Sequence, residues 1–295
     1  MGAHEKKPRR LSLWRALLVA LALVFLAQAA WRHGPELLSL RPRWVWLGTG
    51  TLLVLVAFWG QVWAWQYNLT RLGSSAPFGS LFRVYYIMNV TRYLPGKIWS
   101  LAGTIALGNK LGVDAGIMSA SVFLGLVSSL VSGVLVGFAA AVVFGFDRLL
   151  HPALLVLPGL ALLCVFPPFF RWWSRTLLRR FRPDAMLPEF NLALLSRSLG
   201  HYALVWLAYG AACGALALAV GSPEFGLYFA AFPLAYLAGY AAFFAPGGLG
   251  VREGALVFLC GGGTLALAVS LLQRLVLTLL EAALFAVCVW SWRHD

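Results

Sequence analysis

Four basic side chains lie in or beside apolar stretches: Arg92 and Lys97 around Pro95-Gly96, Arg252 just after Pro246-Gly247-Gly248-Leu249-Gly250, and Arg274 within the last apolar run. Two carboxylates, Glu253 and Glu281, accompany them. Ionisable groups in such segments are costly to bury and mark functional positions. A Pro-Gly pair ends a helix. The helix that restarts after Gly96 or Gly250 then presents free N–H groups and the positive end of its dipole. Beside guanidinium and ammonium groups, the backbone at Pro95, Gly96, Pro246, Gly247, Gly248 and Gly250 suits a phosphate or carboxylate. The expected chemistry is anion binding by Arg92, Lys97, Arg252 and Arg274, with Glu253 and Glu281 balancing charge in the empty site or coupling an ion. Arg274 and Glu281 are seven residues apart on one helical face. A second reading stays open, in which Arg274 pairs with a glutamate only to hold helices together.

The elements that must position these groups follow from composition. The chain has 295 residues, 61% hydrophobic and 11% charged. One soluble core cannot hide that much apolar surface, and no stretch between apolar runs is long enough to fold alone. The expectation is an all-α polytopic membrane protein forming a single transmembrane domain over residues 1–295. Lys and Arg outnumber Asp and Glu by 23 to 10. No basic stripe with stacking aromatics appears, so nucleic acid is not the expected partner. Cys164, Cys213, Cys260 and Cys288 lack CxxC spacing, which argues against disulfides and a structural metal.

Apolar runs of spanning length cover Leu13 to Trp31, Trp44 to Gln66, Ala115 to Phe144, Ala153 to Trp172, Leu194 to Val220 and Leu265 to Trp292. Two further runs, Phe78 to Leu107 and Phe225 to Leu259, are interrupted in their middles. The count is six full spans plus two Pro-Gly-broken re-entrant hairpins, or eight spans if both broken runs cross. Lys6, Lys7, Arg9 and Arg10 at the N-terminus and Arg171, Arg175, Arg179, Arg180 and Arg182 after the fourth full span place these segments and both termini in the cytoplasm. Both counts satisfy that rule. The first span is expected to be retained, although Ala27-Gln28-Ala29 resembles a cleavage site.

The order span, span, broken segment, span occurs twice, over residues 13–144 and 153–292. Pro95-Gly96 and Pro246-Gly247 stand 151 residues apart. One unit starts inside and the other outside, so an inverted repeat is expected, the architecture of alternating-access carriers. Arg197 and His201, one turn apart, fit a snorkelling arginine with a satisfied histidine better than a proton relay. Gly133-xxx-Gly137 and Gly210-xxx-Gly214 permit close helix approach within the chain, or in a homodimer. The sequons at Asn68 and Asn89 fall on the cytoplasmic side and are expected to be chance. No P-loop, HExxH or GxSxG motif occurs, so neither an enzyme nor a cofactor is expected.

Tyr93-Leu94-Pro95-Gly96-Lys97-Ile98-Trp99 and Pro246-Gly247-Gly248-Leu249-Gly250-Val251-Arg252-Glu253-Gly254 resemble the transmembrane flippase-like family that includes the membrane half of lysylphosphatidylglycerol synthases. The family's arginine in the last helix is matched by Arg274. The resemblance implies a protein of the bacterial inner membrane. It would move an anionic or aminoacylated phospholipid, or a polyprenyl-phosphate-linked sugar, between leaflets. Two departures stand out. Ser121 to Ser132 lacks the acidic residue many members carry after the first break, and the soluble aminoacyl-transferase half does not follow Trp292. The rival expectation is a non-transporting membrane subunit that anchors or presents lipid to a partner enzyme, docked on Arg171 to Arg182. A polyprenyl-phosphate transferase with Glu253 or Glu281 as base is a third, disfavoured by the missing nucleotide-sugar motif.

Overall fold

The computed structural model describes residues 41–93, 98–150, 152–166, 168–170, 172, 176, 190–242 and 245–294. The run Leu13 to Trp31, the break residues Pro95, Gly96 and Lys97, and the arginines of the 171–182 segment lie outside the described residues. The described part is helical, with no strand. Among the described residues the α-helices with defined bounds are, in chain order, α1 Trp44–Arg71, α2 Phe78–Asn89, α3 Ile98–Lys110, α4 Ala115–Val143, α5 Pro152–Val165, α6 Leu192–Ala219, α7 Phe225–Ala241, α8 Val251–Leu259 and α9 Gly263–His294. Short 3-10 turns cover Val90–Tyr93, Asp147–Leu150 and Pro246–Gly248.

Caps set several of these boundaries. Asp114 accepts from the N–H groups of Gly116 and Ile117 at 2.7 and 3.0 Å, and Asn191 accepts from Leu194 at 2.8 Å. Each satisfies donors that the first helical turn leaves free. Among the described residues, α1, α4, α6 and α9 as far as Trp292 are long and apolar enough to cross a membrane. The fourth expected span is represented by α5, which runs through Pro158 and ends at Val165.

Both interrupted runs form hairpins. With 12 and 13 residues, α2 and α3 reach only about 18 and 20 Å, well short of the roughly 30 Å hydrocarbon layer. They fold back on one another, with Gly103 of α3 against the Met88 sulfur of α2. In the same way α7 turns into α8, and Gly239 lies against the backbone and Cβ of Arg252.

The packing fixes how these hairpins sit. Helices α1 and α6 run antiparallel: the Arg43 N–H donates to the Ala219 carbonyl at 2.8 Å at one end. At the other end the His201 ring lies 4.4 Å from both Trp63 and Tyr67. Helix α7 packs antiparallel to α4, pairing Gly226 with Phe144 and Leu234 with Gly137. Helix α2 packs on α9, with the Arg83 guanidinium 5.7 Å from the Trp292 ring. The α2–α3 hairpin therefore starts at the bundle end that holds Arg71 and Trp292, and the α7–α8 hairpin at the end that holds Ala219 and Phe144. Their tips meet, the turn Val90–Tyr93 packing on the turn Pro246–Gly248.

Large apolar side chains point outward, among them Trp59, Leu204, Leu279 and Trp290, each more than half exposed. The interior holds serines bonded across helices. Ser198 donates to Ser128 at 2.8 Å, Ser132 to the Leu199 carbonyl at 2.8 Å, and Trp65 to Ser121 at 3.0 Å. Polar glue inside and apolar groups outside is the arrangement a bilayer imposes. Asn68 is fully buried in α1, so its sequon cannot carry a glycan.

Both small-residue motifs serve internal packing. A Cβ on Gly133 would stand 2.9 Å from the Trp206 ring, and one on Gly210 would stand 2.9 Å from the Phe229 carbonyl oxygen. Backbone cannot yield as a side-chain tip does. Gly210→Ala is therefore expected to cost about 1–3 kcal/mol. Gly200→Ala, where nothing lies within 4 Å of the added carbon, serves as control. Thermal unfolding of the two detergent-solubilised variants should separate them, and equal melting would show that the α6–α7 contact adjusts freely.

Candidate anion site at the meeting of the two hairpins

The second break is built on glycine. Gly248 and Gly250 adopt φ of +70° and +78°, a left-handed backbone that residues with a Cβ rarely hold. A Cβ on Gly248 would also stand 3.0 Å from the Gly239 carbonyl oxygen, so the break and α7 touch backbone to backbone. That approach delivers Arg252 to the interior. Its side chain is 7% exposed, and its guanidinium carbon lies 5.0 Å from the Phe232 ring and 4.7 Å from the Tyr236 ring. Phe232, Tyr236 and Gly239 follow i, i+4, i+7 spacing and share one face of α7. The two rings form a platform and the glycine leaves the gap through which Arg252 reaches it.

Glu253 closes the break. Its Oε2 accepts from the Gly250 N–H at 2.7 Å, the N3 carboxylate arm of a capping arrangement. Its Oε1 receives Arg274 Nη1 at 3.3 Å, and the same nitrogen donates to the Gly247 carbonyl at 3.0 Å. One turn earlier on α9, the Ser270 hydroxyl donates to the Glu253 carbonyl at 3.3 Å. Two residues of α9 thus clamp the first turn of α8 and form with Glu253 a latch on the second break. The carboxylate at the positive end of α8 is the protein's own, which the spacing of motifs did not reveal.

Beside the junction lies a small cavity of about 50 Å³. Helix α1 contributes Phe58 and Gln61, α2 contributes Tyr85, Tyr86 and Asn89, α4 Ser129, α6 Trp206 and Tyr209, α7 Tyr236, and α9 Glu281. Hydrogen bonds from the Tyr86 hydroxyl to the Phe58 carbonyl at 3.1 Å, and from the Trp206 indole to the Ser129 carbonyl at 2.7 Å, fix two of its walls. The space suffices for about three waters. Glu281 is 6% exposed there, seven residues along α9 from Arg274.

The structure brings Arg252, Glu253, Arg274 and Glu281 to one region, joined by Tyr236, which both underlies Arg252 and lines the cavity. Arg92 belongs to the turn Val90–Tyr93, and that turn packs on the second break. Arg197 is exposed, whereas His201 sits edge-on to Trp63 and Tyr67 between α1 and α6. They form no site together. Sequence reading missed Gln61, Asn89 and Tyr236 as walls of this cavity. Their residue types are common in such helices, and only the three-dimensional packing marks them.

The helices and the two hairpins define a polytopic membrane protein of the α class. More closely, the chain matches the lysylphosphatidylglycerol synthase TM region across residues 12–284, and it belongs to that family. No curated protein matches it.

Proposed function

We propose that this protein is a carrier in the bacterial inner membrane. It moves an anionic or aminoacylated phospholipid, or a polyprenyl-phosphate-linked lipid, from one leaflet to the other without catalysing a reaction. One observation carries this reading: two hairpins enter from opposite ends of the bundle and meet beside a buried arginine and a cavity that holds a carboxylate. Broken helices that meet near the bilayer midplane are the substrate sites of inverted-repeat carriers. The packing supports such a repeat. Helix α2 of the first unit rests on α9 of the second, while α7 of the second rests on α4 of the first. In this reading both hairpins are re-entrant, with the N-terminus and C-terminus cytoplasmic.

The anion would take its phosphate to Arg252, Arg92, Lys97 and Arg274, with Glu253 and Glu281 balancing charge in its absence. A cavity of about 50 Å³ is too small for a headgroup, so transfer requires the hairpins to part. The test is reconstitution into vesicles containing phosphatidylglycerol labelled on an acyl chain with a fluorophore that dithionite bleaches. Protein-containing vesicles should lose the inner-leaflet signal that protein-free vesicles protect. Equal protection in both, repeated with an aminoacylated phospholipid and a polyprenyl-phosphate-linked lipid carrying the same label, would exclude the carrier and favour a subunit that presents lipid to a partner enzyme.

A further inference from the structure

Gln273 has no place in the latch or the cavity wall, yet it is 1% exposed on α9. Neither its amide nitrogen nor its amide oxygen has a hydrogen-bond partner among the described residues. A buried amide without partners costs stability, and the cost is greater where no water reaches it. A leucine or methionine would fill the same volume without that penalty. An orphan amide of this kind calls for a ligand or a functional role.

Its position on α9 points to a ligand. Ser270, Arg274 and Glu281 occupy one stripe of α9 with Gln273 on its flank, all within about 100° of helix circumference. Ser270 and Arg274 hold the second break, and Glu281 opens onto the cavity. The same helix packs against α8 and against the turn Val90–Tyr93, so Gln273 lies on the element that touches both hairpins at their junction.

We infer that Gln273 is a specificity-determining residue that reads the headgroup beyond its phosphate. The inference rests on the carrier reading above. A primary amide presents a donor and an acceptor side by side. A phosphate diester offers acceptors only, so it satisfies the nitrogen and leaves the oxygen unmatched. A headgroup that adds a hydroxyl or an ammonium group satisfies both. The favoured cargo therefore carries a hydrogen-bond donor beyond the phosphodiester, and lipids without one are moved poorly.

The experiment compares two acyl-labelled lipids in the dithionite assay: phosphatidylglycerol and phosphatidylpropanol. They share the phosphodiester charge and the three-carbon headgroup, and only the first has hydroxyls. Wild-type protein should transfer phosphatidylglycerol about tenfold faster or more, the scale expected when a polar site meets a ligand that leaves it unpaired. Gln273→Met should bring the ratio close to one by slowing phosphatidylglycerol, and should melt at or above the wild-type temperature. Gln273→Leu should do the same.

Equal wild-type rates for the two lipids would overturn the inference and leave the carrier standing. An unchanged ratio in both variants would overturn it too, as would a clear loss of thermal stability, because the amide would then be bonded within the protein. Transfer of neither lipid by wild-type protein would overturn both the inference and the carrier reading for anionic phospholipids.

Discussion

Arg252→Ala is expected to slow lipid transfer by up to about a hundredfold while the protein stays folded and membrane-inserted. The guanidinium is 7% exposed and lies over Phe232 and Tyr236, the latter a wall of the central cavity. It brings a full positive charge to the point where the hairpins meet. A charge-assisted hydrogen bond to phosphate contributes about 3 kcal/mol at the upper end, which corresponds to roughly two powers of ten. Stability should change far less than transfer. A desolvated cation–π interaction contributes about 2 kcal/mol, but truncation to alanine also removes the buried charge and its desolvation penalty. Arg252→Lys sharpens the test. Lysine keeps the charge and gives up the planar stack and forked donors, so an intermediate rate is expected. Reconstituted transfer, measured beside thermal unfolding, reads both quantities. Wild-type transfer by a folded Arg252→Ala protein would remove Arg252 from the anion site.

The second large effect concerns the latch, and there the loss is of structure. Glu253→Ala removes the cap on the Gly250 N–H and the carboxylate that faces Arg274. Glu253 is 2% exposed and Arg274 15%, so the substitution leaves the arginine with a largely buried charge. Breaking one partner of a buried pair costs about 3–5 kcal/mol. Arg274→Met should cost less, since Glu253 keeps its bond to Gly250. The double variant Glu253→Ala with Arg274→Met should lose much less than the two single losses added, because the buried arginine charge is removed together with its partner. A double-mutant cycle on melting in detergent measures the coupling. Purely additive effects would mean that the Glu253–Arg274 ion pair contributes nothing and that the second break holds itself.

The distinction between these two predictions was only half visible in the sequence. Arg252, Glu253 and Arg274 stood out together as charges in apolar runs. What separates them is which backbone lies nearby. Gly239 on α7 lets Arg252 reach the aromatic platform, and Ser270 and Arg274 on α9 reach Glu253 and Gly247. Those contacts join residues 13 to 27 positions apart, beyond any helical period.

The chain by itself determined the class of solvent, the helical elements and the places where they break. Those properties are local. A run of about 20 apolar residues has to satisfy its own backbone in lipid, and Pro-Gly interrupts a helix wherever it stands. Even the restart of α8 at Val251 was legible, because the Pro-Gly break ends one helix and the next begins after Gly250. Tertiary structure alone decided that the broken runs are hairpins meeting tip to tip. It also decided that Glu253 occupies the end of α8, and that Gln273 is sealed without a partner among the described residues. These depend on how helices distant in the chain pack around glycines and rings, and the energy of a buried charge or amide is set by those neighbours rather than by its own residue type.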